Sequence, residues 1–380
     1  MSVISEESEV RLAIWKQQQT LQMPTASINQ TVFSNALGSH ETPLETVRSP
    51  YNILVCVTWG LIVIVGTIGN GLVIFVKLRY EERSVPNVYM INLAFTDLMF
   101  ILFVVPITLL QTVMPSWIFG NLICKLTNYL LYVTLYATCW TLSALTVDRY
   151  HAIVNPVNSI KWRTLQKAVA INIVIWTVSV LICSPYLIFT EAYVTVSEHE
   201  NRTSTVCQAQ WPSELFDKAF TLTVVLTTFV LPFIIMTVCY FIILRTLWRK
   251  PVNQTASSAR RNSVNRIDAE NTERKSRSKK RVTKMVAFVF VLFIICWLPV
   301  HVIVICLKFD SNFPRTDTTL FIKLLANTLS YANSCMNPFV YAFVHEGFKN
   351  NIRQKLLKFC VIYSFRVQTP NIHIEEENQL

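Results

Sequence analysis

Two sets of side chains could do chemistry in this chain, and both sit in apolar surroundings. Asp97 is the single carboxylate inside seven long apolar runs, and His301 is the single titratable ring there. An ionisable group within a membrane is costly, so each invites a functional reading. The plain alternative for Asp97 is a neutral, hydrogen-bonded acid. Asn333 and Asn337 are four residues apart and so share one helix face. Asp148-Arg149-Tyr150 closes the third run. A guanidinium at the edge of the bilayer needs a partner, and Asp148 is adjacent. A snorkelling interface arginine is the alternative there. Phe293, Trp297 and His301 recur every four residues around Pro299, which gives an aromatic stripe on a helix weakened at its pivot.

These residues are carried by segments that fit a bilayer. A core of about 30 Å takes about 20 helical residues. Runs at 53–76, 85–114, 126–147, 168–190, 219–244, 285–307 and 324–344 reach that length. Pro106, Pro185, Pro232, Pro299 and Pro338 interrupt them, which membrane helices tolerate because neighbouring helices satisfy the freed carbonyls. The chain of 380 residues is 52% hydrophobic and only 15% charged, with mean hydropathy +0.40. A soluble domain is nearer a quarter charged. The expected fold is therefore an all-α membrane protein, a seven-helix transmembrane bundle over 53–344.

The net charge of +11 would suggest nucleic acid in a soluble protein. Here the basic residues lie between apolar runs and speak for orientation. Lys and Arg crowd the stretch after the fifth run, from Arg249 to Arg281, and are sparse on the opposite side. The N-terminus, 1–52, is then outside and the C-terminus inside. The first twenty residues lack the apolar core of a signal peptide, so the first membrane run is the expected targeting signal. Asn29-Gln30-Thr31 and Asn201-Arg202-Thr203 are outward-facing glycosylation sequons. Residues 246–282 are read as a flexible, basic inner loop. Its Arg260-Arg261-Asn262-Ser263 is similar to a basophilic kinase site, with an unmodified solvated run as the alternative. Phe348, Ile352, Leu356 and Phe359 alternate with Lys349, Arg353, Lys355 and Lys358, which predicts an eighth, amphipathic helix over 345–360 on the inner leaflet. Cys360 at its end is a candidate for palmitoylation, and 361–380 is a tail.

The motifs, each on its own helix, resemble those of the rhodopsin-like (class A) G-protein-coupled receptors. They run Gly69-Asn70, then Asn92-Leu93-Ala94-Phe95-Thr96-Asp97, then Cys124 to Asp148-Arg149-Tyr150. Trp176, Pro232 and Tyr240 follow. Phe293 with Cys296-Trp297-Leu298-Pro299, and Asn333-Ser334 with Asn337-Pro338-Phe339-Val340-Tyr341, complete the set. The resemblance implies an allosteric sodium ion held by Asn70, Asp97, Asn333, Ser334 and Asn337, with Thr138 a further member; oxygen donors suit a hard cation. It implies that Arg149 turns toward the G protein, Tyr240 and Tyr341 on activation, and that Val157 is an apolar knob for the G protein. It also implies a Cys124–Cys207 disulfide, and arrestin and receptor kinases as partners.

For the ligand, the resemblance excludes two classes. Amine receptors carry an Asp where Leu131 and Tyr132 stand, and opsins a lysine where Tyr331 stands. An outer face holding Glu191, Glu198, Glu200, Glu214, Asp310 and Asp317 suits a cationic, amidated peptide. Trp297-Leu298-Pro299-Val300-His301 and Leu329-Ser330-Tyr331-Ala332-Asn333-Ser334 look like the galanin, allatostatin-A and kisspeptin receptors. Galanin receptors commonly have His-His where this chain has Val300-His301, so an allatostatin-type or related neuropeptide is the expected ligand. Gln111, Tyr132, Trp297, His301, Asn327 and Tyr331 are the candidate pocket. A class A receptor for a non-peptide ligand is the alternative. A transporter or channel would need paired intramembrane charges or repeated halves. An enzyme would need a nucleophile with its base or a metal cluster, and the chain has no HExxH, GxSxG or CxxC.

Overall fold

The computed structural model describes residues 50–197, 202–249, 263–314 and 316–344. Its helices are α1 (Pro50–Arg79), α2 (Val85–Val113), α3 (Gly120–Val154), the short α4 (Pro156–Trp162), α5 (Leu165–Phe189), α6 (Glu214–Val225 continuing through Leu231–Arg249), α7 (Ser263–Phe309) and α8 (Asp317–Val344). Six of them are long and apolar enough to cross a membrane. The seventh is α8, whose 28 residues bury Lys323, Asn327, Ser330, Asn333, Ser334 and Asn337. That polar stripe lowers its average hydropathy while its outer face stays apolar.

Apolar side chains point both inward and outward. Leu61, Ile64, Phe75, Ile173, Val174, Phe241 and Ile295 are all exposed, as lipid-facing residues must be in a chain of this kind. Polar side chains turn inward and join helices. Asn92 Nδ2 donates to Thr141 Oγ1 at 2.7 Å, and Trp176 Nε1 donates to Asn92 Oδ1 at 2.8 Å. One amide thus clasps α2, α3 and α5. Trp59 Nε1 donates to Thr328 Oγ1 at 2.9 Å and ties α1 to α8.

Proline shapes two helices. Phe100–Val104 in α2 and Leu226–Val230 in α6 are single wide (π) turns. Each lies just before a proline, Pro106 and Pro232. The ring displaces the carbonyl four residues back, and a wide turn absorbs the mismatch.

The inner loop expected over 246–282 is much shorter in the structure. α6 runs to Arg249 and α7 begins at Ser263. The stretch 269–281 is rich in Glu, Lys and Arg, all strong helix formers. Extending an existing helix also avoids the cost of nucleating one. Polarity was a poor guide there. The sequons at Asn29 and Asn201, the amphipathic helix at 345–360, Cys360 and the tail lie outside the described residues.

At one end of the bundle β1 (Thr190–Ser197) pairs antiparallel with β2 (Arg202–Ala209), with Thr190 opposite Ala209. Cys207 of β2 is bonded to Cys124 of α3, their Cα atoms 5.6 Å apart. Trp117 covers this bond, and its Nε1 donates to the Gly120 carbonyl at 2.8 Å. Gly120 opens α3 with φ of 74°, a conformation that favours glycine.

α1 and α8 approach closely at glycine. A Cβ on Gly69 would stand 2.9 Å from Pro338 Cγ, whereas one on Gly71 would meet nothing within 4 Å. Gly69→Val is therefore expected to destabilise the bundle by about 1–3 kcal/mol, seen as a lower thermal midpoint in detergent. Gly71→Ala should leave the midpoint unchanged or higher. Equal midpoints for Gly69→Val and the unaltered chain would contradict the close approach.

Candidate functional site

Three groups of side chains stand on this scaffold, one at each end of the bundle and one at its middle. The middle group surrounds Asp97, which is 1% exposed. Its Oδ2 accepts from Asn337 Nδ2 at 2.8 Å, and the Ser334 hydroxyl is a second partner. Asn70 Nδ2 donates to the carbonyls of Gly66 at 3.0 Å and Ser334 at 2.8 Å. Three oxygens in this group, Asp97 Oδ1, Asn70 Oδ1 and Asn337 Oδ1, have no hydrogen-bond partner among the described residues. Buried oxygens are seldom left so, and carboxylate and amide oxygens are the donors a hard cation takes. The residues present therefore fit a small cation. Asn333 and Thr138 are buried, but no hydrogen bond joins either to Asp97.

At the end away from the hairpin, Arg149 is bonded to Asp148, and both side chains are 5% exposed. Asp148 is shared. Arg163, just after α4, donates Nε to Asp148 Oδ1 at 2.6 Å and a terminal nitrogen to Oδ2 at 3.0 Å. The sequence reading missed this second guanidinium, because Arg163 looks like one more basic loop residue. Tyr240 and Tyr341 are buried, and neither hydroxyl has a hydrogen-bond partner among the described residues. Neither hydroxyl is bonded to Arg149, which is held by Asp148. Tyr150 is half-buried and meets His151 edge-on. Val157 projects from α4 with 78% exposure, and Ile160, three residues on, is 75% exposed.

Below the hairpin, the aromatic stripe on α7 is in place. Phe293 and Trp297 lie 6.4 Å apart, Trp297 and His301 6.0 Å apart. The His301 Nδ1 lies 2.8 Å from the Trp297 carbonyl, while its Nε2 and the Trp297 indole nitrogen have no partner among the described residues. Phe229, in the wide turn of α6, stacks on His301 at 4.7 Å and on Phe293 at 6.0 Å. It bridges the two turns of the stripe. No periodicity marks it, since the wide turn shifts the helix register there.

The remaining pocket candidates divide. Gln111 donates to the Cys207 carbonyl at 3.3 Å and leaves its Oε1 without a partner. Asn327 is fully buried. Tyr132 stacks on Tyr186 at 3.8 Å and so joins an aromatic cluster with Trp211 and Phe220. Tyr331 packs against Trp59 at 4.6 Å and Phe100 at 5.3 Å, facing α1 and α2.

Comparison with known proteins identifies the assembly. Residues 69–341 match the family model described as "7 transmembrane receptor (rhodopsin family)". Galanin receptor type 2 of Rattus norvegicus is 36% identical over 306 residues, 80% of this chain and 76% of the relative. Galanin receptor 2b of Danio rerio is 35% identical over 323 residues, 84% and 79% of the two chains. G-protein coupled receptor 54 of Oreochromis niloticus is 32% identical over 334 residues, 86% of each. The chain belongs to the rhodopsin family of seven-transmembrane receptors, in its galanin-receptor branch. It is a multi-pass membrane receptor that couples to G proteins, and not an enzyme.

The receptor's Asp148 neutralises part of two arginines at once. Asp148→Asn should release Arg149 and shift the resting equilibrium by about 1 kcal/mol, roughly fivefold in ligand-free nucleotide exchange on the G protein. Arg163→Ala leaves the Asp148–Arg149 pair in place and should not raise that rate. An unchanged rate in Asp148→Asn would count against Asp148 as the restraint.

Proposed function

We propose that this receptor sits in the plasma membrane with its N-terminus outside, binds an extracellular neuropeptide of galanin or allatostatin type, and activates a heterotrimeric G protein inside. The observation that carries the ligand reading is the set of buried polar atoms beneath the hairpin. His301 Nε2, Trp297 Nε1 and Gln111 Oε1 all lack a hydrogen-bond partner among the described residues. Buried donors and acceptors left open are costly in a resting protein, and a peptide's amides supply complementary groups. The relatives named galanin receptors support a peptide ligand, and the concentration of Lys and Arg between α6 and the middle of α7 supports the orientation.

On the inner face Arg149 is the group that turns toward the G protein, with Tyr240 and Tyr341 free to receive it. Val157 and Ile160 offer an apolar knob beside it. Arrestin and receptor kinases act on the same face, Asn29 and Asn201 carry glycans, and Cys360 carries palmitate. A sodium ion held by Asp97, Asn70, Ser334 and Asn337 supplies positive charge that favours the resting arrangement. Asn333 and Thr138 complete its surroundings.

Two measurements test this reading. A panel of synthetic amidated neuropeptides, galanin and allatostatins among them, is applied to the purified receptor with each class of G protein. At least one peptide should accelerate nucleotide exchange on at least one class; acceleration of none would sink the proposal. For the ion, Asp97→Asn should abolish the loss of agonist affinity that sodium causes in the unaltered receptor. Equal sodium dependence in the two proteins would refute the ion site.

A further inference from the structure

The hairpin end of the bundle holds a cation that nothing in the described protein neutralises. Asp217, in the first turn of α6, is bonded to Lys308, in the last turn of α7, and both are buried. Lys323, in the second turn of α8, is 7% exposed. It makes no hydrogen bond or ion pair with a described residue, and the charged neighbour that reaches it is Lys308, a second cation. Among the acids at this end whose side chains are described, none acts on Lys323. Glu214 pairs with Lys218 at 2.7 Å. Asp310 accepts from the Asn312 backbone at 2.9 Å and is exposed, as is Glu191.

A buried ammonium without a counter-ion is among the most costly arrangements in a protein. Where it stands shows what could relieve that cost. Lys323 lies one turn from Asn327 and two from Tyr331 on the buried stripe of α8, and Lys308 lies seven residues from His301 on the buried stripe of α7. Lys308 therefore crowns the face of α7 that carries His301 and Trp297, and Lys323 crowns the face of α8 that carries Asn327 and Tyr331. Lys308 is already tied to Asp217, so Lys323 is the free half of the pair. An acidic outer face had suggested a cationic ligand. The structure places an excess of positive charge at the buried centre of that face, where Lys308 and Lys323 stand with Asp217.

We propose that Lys323, with Lys308 beside it, binds a carboxylate of the peptide ligand, either an acidic side chain or a free C-terminus. This rests on the peptide-receptor reading above and adds the ligand's chemistry. The attraction is strong because both charges are desolvated. It is directional because α7 and α8 fix the two lysines.

Its test uses every synthetic neuropeptide that activates the unaltered receptor. Each is made again with Asp and Glu replaced by Asn and Gln, and separately in free-acid and amide forms. If an acidic side chain is the partner, its neutral replacement loses about tenfold or more in potency. If the C-terminus is the partner, the free acid exceeds the amide by a similar factor. Either difference should vanish in Lys323→Gln and persist in Lys323→Arg, with surface expression of Lys323→Gln equal to or above that of the unaltered receptor. Equal potencies of charged and neutral forms on the unaltered receptor overturn the proposal and need no variant. A difference undiminished in Lys323→Gln overturns it too. Failure of every peptide to activate overturns the peptide reading, and this proposal with it.

Discussion

A polar side chain inside a hydrocarbon slab has no water to turn to, and in this receptor that constraint decides how the helices sit. Asn92 satisfies both ends of its amide by meeting Thr141 and Trp176, and so sets α2, α3 and α5 around one point. Asn70 can reach the Ser334 carbonyl only because Gly69 lets α1 close on Pro338. That approach brings Ser334 and Asn337 of α8 to Asp97 of α2. The middle of the bundle is thus a chain of polar links, each needing the one before it. The apolar residues around them fill space, but lipid is as apolar as they are and does not choose one packing over another.

The same constraint explains what the sequence revealed. Asp97, Arg149 and His301 were visible because charge in an apolar run is conspicuous. Their setting was visible because Pro299, Asn337-Pro338 and Cys124 stand at recognisable positions. Helix ends were less legible. The runs at 126–147 and 285–307 became Gly120–Val154 and Ser263–Phe309, since hydropathy marks where lipid begins and not where the helix stops. α7 in particular continues into a stretch whose charged residues favour helix.

Pairings between distant residues were not legible at all. Asp217 and Lys308 are 91 positions apart, and each looks like an ordinary loop charge in the sequence. Arg163 and Asp148 are 15 apart, with a short helix between them that turns the chain back. Lys323 falls just outside the run at 324–344, and nothing in the sequence marks it as buried. Only the packing of α8 against its neighbours shows that it is buried. Tyr331, assigned to the pocket by its position in a motif, packs its ring against Trp59 and Phe100, contacts that the motif does not show.

α6 and α7 are linked at three levels along their length. Asp217 meets Lys308 near the hairpin, Phe229 stacks on His301 and Phe293 at mid-depth, and Tyr240 stacks on Phe290 at 5.5 Å nearer the Arg149 end. Pro299 interrupts the hydrogen bonding of α7 between the first level and the third. From Pro299 to Ser263 the helix is about 54 Å long at 1.5 Å per residue. A change in bend of about 10° there would therefore displace its far end by about 9 Å. The ionic link at the hairpin and the aromatic links below it are short-range, and each is lost over an ångström or two. The Asp148–Arg149 pair lies beside Tyr240, whose partner Phe290 is about 14 Å along that arm from Pro299, where the same bend displaces the helix by about 2 Å. A ligand that alters the link at Lys308 then acts on the helix that packs, through Phe290 and Tyr240, near Arg149.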